Sequence, residues 1–308
     1  MKKFVLKSLI IFIFPFLFIL GYAAYFADGL TDPFYRKFTS SRKKSLIIGS
    51  SRASQAIIPS IVEKQLKNVC ENEIFNFAFS LDDSPYGPVY LNAIKKKVKN
   101  KSKNGLFLIC VNPWTISRNK NNINDNQKKF RENERLLSKM FFVNLQVNYE
   151  YLIKNYNHGW ASLSNKDDST MVLHDNGWLE ISIPMDSIFF MKRLDKNLKA
   201  YSGGHLQTLL FSPKRYFFLR RTIEFCLIHG KVFLIRLPVH EFIYNVEQEF
   251  MPDFDLKIET LAKEYNLQYL NFSARHSDYR TTDGNHLFKE SGFKISREIG
   301  KRIKQYEE

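Results

Sequence analysis

The sequence predicts an α/β domain on a parallel sheet, carried behind an apolar amino-terminal segment. Three observations lead there. Gly105–Val111 (GLFLICV) and Lys231–Leu237 (KVFLIRL) are near-continuous apolar runs of strand length, as expected of strands buried on both faces. Strand-length runs alternate along the chain with helix-length stretches, the pattern of a parallel sheet covered by helices on both faces. The first strand run, Ser45–Ile48, ends in Gly49-Ser50-Ser51-Arg52, and open α/β sheets carry their working groups in such carboxyl-end loops.

At the amino terminus, after Met1-Lys2-Lys3 and Lys7, the stretch Ser8–Ala27 carries no charge. It matches the roughly 20 residues needed to cross about 30 Å of hydrocarbon, and exceeds the usual apolar region of a cleaved signal peptide. Residues 1–27 therefore read as a short cytoplasmic stub and an uncleaved signal anchor. The flanking cations do not fix its orientation, because Arg36, Lys37, Arg42, Lys43 and Lys44 lie close on its other side. Residues 28–44 read as a linker and 45–308 as one α/β domain. Within that domain, Ser45–Ile48, Ile74–Phe79, Gly105–Val111, Lys231–Leu237 and Gln268–Phe272 read as strands. Ile58–Lys67, Tyr86–Lys99, Pro213–His229, Leu256–Tyr265 and Phe288–Gln305 read as helices.

The middle differs in character, and about 117–212 reads as an insertion. Ser117–Arg131 is rich in Asn and Lys and predicts a loop, while Glu132–Tyr156 predicts an aromatic helix. Asp175-Asn176-Gly177, between alternating apolar residues in Thr170–Ile183, predicts a hairpin. The insertion reads as a lid or as peripheral packing, and the sequence leaves both open.

Composition narrows the function. With 44% apolar and 25% charged residues over 308 positions, the chain can bury a core and is not disordered. Cys70, Cys110 and Cys226 are too few and too dispersed for a disulfide scaffold or a metal knuckle, and Cys110 lies inside an apolar run as a buried thiol. The net charge of +15 attracts anionic partners, but no zinc-finger spacing, RNA-binding signature or recognition-helix unit accompanies it. A nucleic-acid function is excluded on that ground. The run from Lys95 to Lys103 reads as a solvated basic helix end, and anionic lipid or an acidic polymer suits the charge equally.

Two motifs carry chemistry. Ser51, opening a helix after the first strand, presents an exposed hydroxyl where a helix end favours developing negative charge. Asp283-Gly284-Asn285-His286 precedes the last helix, and an Asp three residues before a His can reach Nδ1, fix the tautomer and leave Nε2 to accept a proton from Ser. His240 comes just after the Lys231–Leu237 strand and could line the same site. No metal-binding cluster is evident.

With both motifs in view, the chain resembles the SGNH, or GDSL-like, hydrolase superfamily over Ser45–Asn112 and Lys231–Glu308. The resemblance implies a flavodoxin-like three-layer αβα fold. It implies Ser51 as nucleophile, Asp283 as orienting acid and His286 as base, with no cofactor or metal. Asn112, in Cys110-Val111-Asn112-Pro113, matches the oxyanion-hole Asn, with the Ser51 N–H as a second donor. Ser80 stands where the family usually has an oxyanion Gly, and Ser50 replaces the acidic residue of the GDS block. The Gly-Ser-Ser-Arg variant is similar to the membrane-tethered branch acting on cell-envelope polymers, as in alginate acetylation and teichoic-acid alanylation. The resemblance thus implies a membrane-anchored serine esterase or O-acyltransferase outside the cytoplasm. Its implied partners are membrane lipid, a cell-surface glycan or acyl ester, and an envelope-biosynthesis complex. Arg52 reads as a brace for the loop or as a substrate contact, and Trp178 and Trp160 as aromatics bordering the site. The competing expectation is a catalytically silent scaffold of the same fold that binds polysaccharide or organises an export complex.

Overall fold

The computed structural model describes residues 2–26, 34–67, 73–79, 84–100, 102–121, 130–134, 136–155 and 170–308. The chain opens on helix α1 (Lys2–Phe26), which is long and apolar enough to be a single-pass anchor or a signal sequence. Phe4, Phe12, Phe14 and Phe18 on it are exposed.

The segment expected to be a linker is in part built into the domain. Tyr35–Thr39 forms helix α2, with Tyr35, Lys37, Phe38 and Thr39 buried. The cause is aromatic: Phe38 stacks on Tyr151 at 4.9 Å and meets Phe79 at 5.5 Å, while Tyr35 packs edge-on to Tyr151 at 5.7 Å.

The central sheet comprises β1 (Ser45–Ile48), β2 (Ile74–Asn76), β3 (Gly105–Cys110), β4 (Gly230–Arg236) and β5 (Gln268–Asn271). All pairings are parallel, in the order β2-β1-β3-β4-β5. Register runs through Leu46↔Phe75, Ile47↔Leu108, Leu108↔Phe233 and Ile235↔Leu270. Alternation along the strands divides the core between the two faces. Leu46, Ile48, Phe107, Ile109, Val232 and Leu234 face one side, and Ile47, Leu106, Leu108, Phe233 and Ile235 the other. Helices α3 (Ser51–Ala56) and α4 (Pro59–Gln65) cover the second face. The first face is covered by α5 (Pro88–Lys97). The expected three-layer α/β architecture is thus present.

The middle departs from expectation. Instead of one helix over Glu132–Tyr156 there is a 3-10 turn at Arg131–Glu134, a helical turn at Leu136–Lys139 and helix α6 (Tyr149–Asn155). Side chains outcompete the helix for the backbone. Glu150 accepts from the N–H groups of Phe141 and Phe142, both at 2.8 Å at closest, and Asn148 Oδ1 accepts from Tyr151 N at 3.0 Å. The expected hairpin is present: Met171–Leu173 pairs antiparallel with Leu179–Ile181 across the Asn176-Gly177 turn. Helix α7 (Ser187–Lys199), unexpected from sequence, continues through a π-helical turn, Ala200–His205. Among the described residues, none between 117 and 212 supplies a strand to the central sheet. Helices α8 (Pro213–His229), α9 (Glu241–Phe250), α10 (Phe254–Glu264) and α11 (Lys289–Glu307) complete the layers, with α9 likewise unexpected. The α8 and α10 side chains Leu219, Ile223, Phe254 and Ile258 join the first face, and Ile295, Ile299 and Ile303 of α11 join the second.

Candidate active site

The strand order places the chain reversal between β1 and β3, where connections leave in opposite directions and open α/β sheets form a crevice at their carboxyl ends. Ser51 comes after β1 and Asn112 after β3, strands paired in register through Ile48↔Ile109. Gly49 makes the turn compact. A Cβ there would lie 2.8 Å from Cys110 Cβ and 3.1 Å from Ala53 Cβ, so only glycine lets the loop sit on β3. Ser50 adopts an extended cap conformation and Ser51 is the first residue of α3.

The second motif reaches the same place from the other end of the chain. Thr281 and Leu287 form an antiparallel bridge, and Thr282 N donates to His286 O at 2.8 Å, closing residues 281–287 into a tight loop. Gly284, at φ +86°, supplies the left-handed turn. Asp283 divides its carboxylate. Oδ1 accepts from the backbone of Asn285 at 2.9 Å and of His286 at 2.8 Å, while Oδ2 lies 2.9 Å from His286 Nδ1. His286 Nε2 lies 2.9 Å from Ser51 Oγ. Ser51, His286 and Asp283 are each half-buried, so the relay borders solvent.

The protonation pattern is set by the neighbours. Arg52 Nε, which only donates, lies 2.7 Å from Asn285 Oδ1 and so fixes which end of that amide is oxygen. Asn285 Nδ2 then faces His286 Nε2 at 3.3 Å. The ionised Asp283 carboxylate can only accept, so the ring proton resides on Nδ1 and Nε2 is left to accept from the Asn285 amide and the Ser51 hydroxyl. Burial would raise the Asp283 pKa. The imidazole hydrogen bond, the attraction of the ring once it is protonated and the two backbone donors outweigh it and hold the carboxyl far below the usual carboxylate range.

Arg52 is buried and acts as a brace. Its NH1 meets Glu247 Oε1 at 2.6 Å, and the other Glu247 oxygen meets Arg236 NH2 at 2.9 Å. Arg236 reaches Asp255 Oδ2 at 2.6 Å, and Tyr269 donates to Asp255 Oδ1 at 2.7 Å. Two guanidiniums and two carboxylates thus form a neutral chain from the residue beside Ser51 to α10. Burial disfavours the charge on both arginines, but Glu247, with Asp255 for Arg236 and Tyr201 for Arg52, raises their pKa values overall. The sequence carried one signal for this network. Arg236 directly follows the apolar run Val232–Ile235 of a buried strand, and a cation there demands a buried anionic partner.

Two further positioning residues escaped sequence reading. Asn76, fully buried at the end of β2, donates from Nδ2 to the carbonyls of Ala53 and Ile57, each at 2.9 Å, and so holds the open end of α3. Lys37 of α2 donates to Ser54 Oγ at 3.0 Å and to the carbonyls of Ala78 at 2.6 Å and Gly177 at 2.9 Å. It ties α2 to α3 and to the hairpin. Burial pulls its pKa well below that of an ordinary lysine.

The other expected site residues take varied places. Asn112 caps the 3-10 turn Pro113–Ile116, its Oδ1 accepting from Thr115 N at 3.2 Å, which leaves the amide nitrogen as its donor. His240 caps α9 and packs against Phe190 and Phe242. Its backbone N–H donates to Gly284 O at 2.8 Å, so it steadies the loop carrying His286. Burial lowers the His240 pKa, with Glu241 opposing and His276 adding to the fall. Trp178 corrects an expectation: it is buried, donates to Gln55 O at 2.9 Å and stacks on His174. Its indole seals the hairpin onto α3 and presents no open stacking face. Ser80 and Trp160 lie outside the described residues. A cavity of about 420 Å³, lined by Val89, Lys96, Leu137 and Met140 among others, shares no residue with the relay and does not serve it. Among the described residues, no three His, Cys, Asp or Glu side chains converge as a metal site would require. Burial raises the thiol pKa of both Cys110 and Cys226, which leaves them unreactive.

Fold and site together define an α/β protein with a five-stranded parallel sheet and a Ser-His-Asp relay at its switch point. No family model matches the chain, and no curated protein matches it.

Proposed function

We propose that the chain is a membrane-anchored serine esterase or O-acyltransferase of the SGNH type, acting outside the cytoplasm on an acyl ester of a cell-envelope glycan. One observation carries the reading: an unbroken Ser51–His286–Asp283 relay, with both links at 2.9 Å, assembled from opposite ends of the sequence. A free hydroxyl is a weak nucleophile near neutral pH and needs a base within hydrogen-bond reach. Ser51 Oγ attacks the acyl carbonyl as His286 Nε2 takes its proton, and Asp283 stabilises the resulting imidazolium. The Ser51 N–H and the Asn112 amide donate to the oxyanion. His286 then returns the proton to the leaving alcohol, and a water or sugar hydroxyl, deprotonated in turn by His286, takes the acyl group from Ser51. The family reading draws support from the strand order and from the positions of both motifs at strand and loop ends. Extracytoplasmic placement rests on the resemblance to tethered relatives.

The test is covalent labelling with a fluorophosphonate, in which the Ser51 oxygen–phosphorus bond forms and fluoride leaves. Adduct mapped to Ser51, lost in Ser51→Ala and strongly reduced in His286→Ala, supports the reading. A folded wild type that gives no adduct, under conditions that label a control serine esterase, overturns it in favour of the scaffold.

A further inference from the structure

Next to the anchor the surface carries an apolar patch that the domain core does not use. Phe141 is 71% exposed and Ile153 67% exposed, with Phe142 and Leu145 open beside them. Large exposed apolar patches mark interaction surfaces. This one is held rigidly. The Glu150 carboxylate accepts from both Phe141 N and Phe142 N, and Lys154 braces it at 2.6 Å.

The backbone carbonyls beneath the patch are paired with side chains of the protein itself. Lys139 O accepts from Lys154, Met140 O from Lys96, Phe142 O from Asn148 and Val143 O from Lys97, at 2.6–3.2 Å. A loop entering a low-polarity layer must provide such partners for itself, whereas a loop facing water need not. Cations rim the apolar tip: Lys96 lies 5.5 Å over the Phe141 ring, and Lys139 and Lys154 are exposed beside it.

The patch is also continuous with the anchor. Tyr149 Oη donates to Leu20 O of α1 at 3.3 Å, and Tyr151 packs on Tyr35 and Phe38 of α2. We infer that Phe141, Phe142, Leu145 and Ile153 form a platform that dips into the interfacial layer of an anionic lipid bilayer, with the lysines over its headgroups. Apolar tips ringed by basic side chains suit that environment. Because Lys37 joins α2 to α3, the platform would fix Ser51 at a set height and orientation above the membrane. The inference rests on reading α1 as an anchor that stays in the bilayer.

The experiment uses the full chain, with Cys70→Ser, in nanodiscs of phosphatidylcholine and phosphatidylglycerol. Nitroxide is attached singly at Phe141→Cys, Ile153→Cys, Ile188→Cys or Phe14→Cys, all exposed positions outside the domain core. Collisions with oxygen report lipid, and collisions with a water-soluble nickel chelate report solvent. The platform predicts an oxygen-to-nickel ratio at 141 and 153 several-fold above that at 188 and approaching that at 14. Labels at 141 and 153 as open to nickel as 188, with 14 still protected, overturn the platform while sparing the anchor. A label at 14 open to nickel overturns the anchor reading and the platform with it.

Discussion

Arg52, the residue after Ser51, donates from Nε to Asn285 Oδ1 at 2.7 Å, and Asn285 is the residue before His286. The two motifs are therefore clamped by their neighbours, across 233 positions of sequence, as well as by the Ser51–His286 contact itself. The same guanidinium holds Glu247 at 2.6 Å, so the clamp is anchored to α9.

Arg52→Lys tests the clamp, because an ammonium is a point charge and cannot reproduce the fork that serves Asn285 and Glu247 together. Losing the Asn285 contact frees the amide to rotate and removes a determinant of the His286 tautomer. Fluorophosphonate labelling of Ser51 should slow by roughly tenfold or more, equivalent to about 1.4 kcal/mol in activation free energy. Labelling at the wild-type rate in the lysine variant would reduce Arg52 to packing alone.

Asp283→Asn keeps the shape but turns a pure acceptor into a group that can donate to Nδ1, moving the ring proton to Nε2, where it faces Ser51. A triad treated this way loses about four orders of magnitude in turnover. Labelling rates in Asp283→Asn should fall toward that scale, while Ser50→Ala, whose side chain makes no cap hydrogen bond, should stay within a few-fold of wild type.

The depressed Asp283 pKa also has a pH signature. Its main lowering cause is the His286 hydrogen bond, working against burial. Because the folded value lies below the unfolded one, the unfolded chain takes up the proton first as pH falls. The stabilisation is complete above the unfolded carboxylate pKa of about 3.9 and is lost as pH drops further, through the folded value. The stability that Asp283 gives over Asp283→Asn should not decline between about pH 7 and about pH 5 and should shrink below about pH 4. Urea titrations at several pH values measure it, and a decline already visible above pH 5 would contradict the assignment.

Lys37→Met tests the link from α2 to α3. The carbonyls of Ala78 and Gly177 lose their Lys37 hydrogen bonds, and each buried acceptor left unpaired costs about 1–3 kcal/mol. Thermal unfolding, monitored by fluorescence, should shift down by roughly 2–4 °C per kcal/mol lost. Ser51 labelling should fall as well, since Ser54 Oγ loses its contact one turn beyond Ser51.

Legibility from sequence depended on how local the cause was. Ser45–Ile48 and Pro213–His229 were readable to the residue, because a bounded apolar run defines the first, and Pro at the start with Gly after the end defines the second. The pairing of Asp283 with His286 was readable too, since both lie in one loop. The Arg52–Glu247 bridge was not, because its partners stand 195 positions apart and only the β4–α9 connection brings them together. The segment 132–155 misled for a related reason. Its residues have helix-compatible composition, but Glu150 and Asn148 bond the backbone directly and break the helix. Trp178 failed as an expected open aromatic because the hairpin that exposes it in sequence is folded against α3.

Two glycines near the site make opposite predictions. Gly284 sits at φ +86°, and a Cβ there would lie 2.4 Å from Leu194 Cδ1. The leucine tip can move aside, but the left-handed backbone cannot be relieved without shifting the loop, at a cost of about 1–3 kcal/mol. Gly284→Ala should therefore lower stability by that amount and slow Ser51 labelling, since Asp283 and His286 flank the turn. Gly203 lies in the π-helical turn, where an added Cβ meets nothing within 4 Å. Alanine there restricts only the unfolded chain, so Gly203→Ala should leave labelling unchanged and raise stability by about 0.4–1 kcal/mol. Unfolding and labelling measured side by side on the two variants decide it. Equal behaviour of both would mean that the Gly284 backbone does not govern where His286 stands.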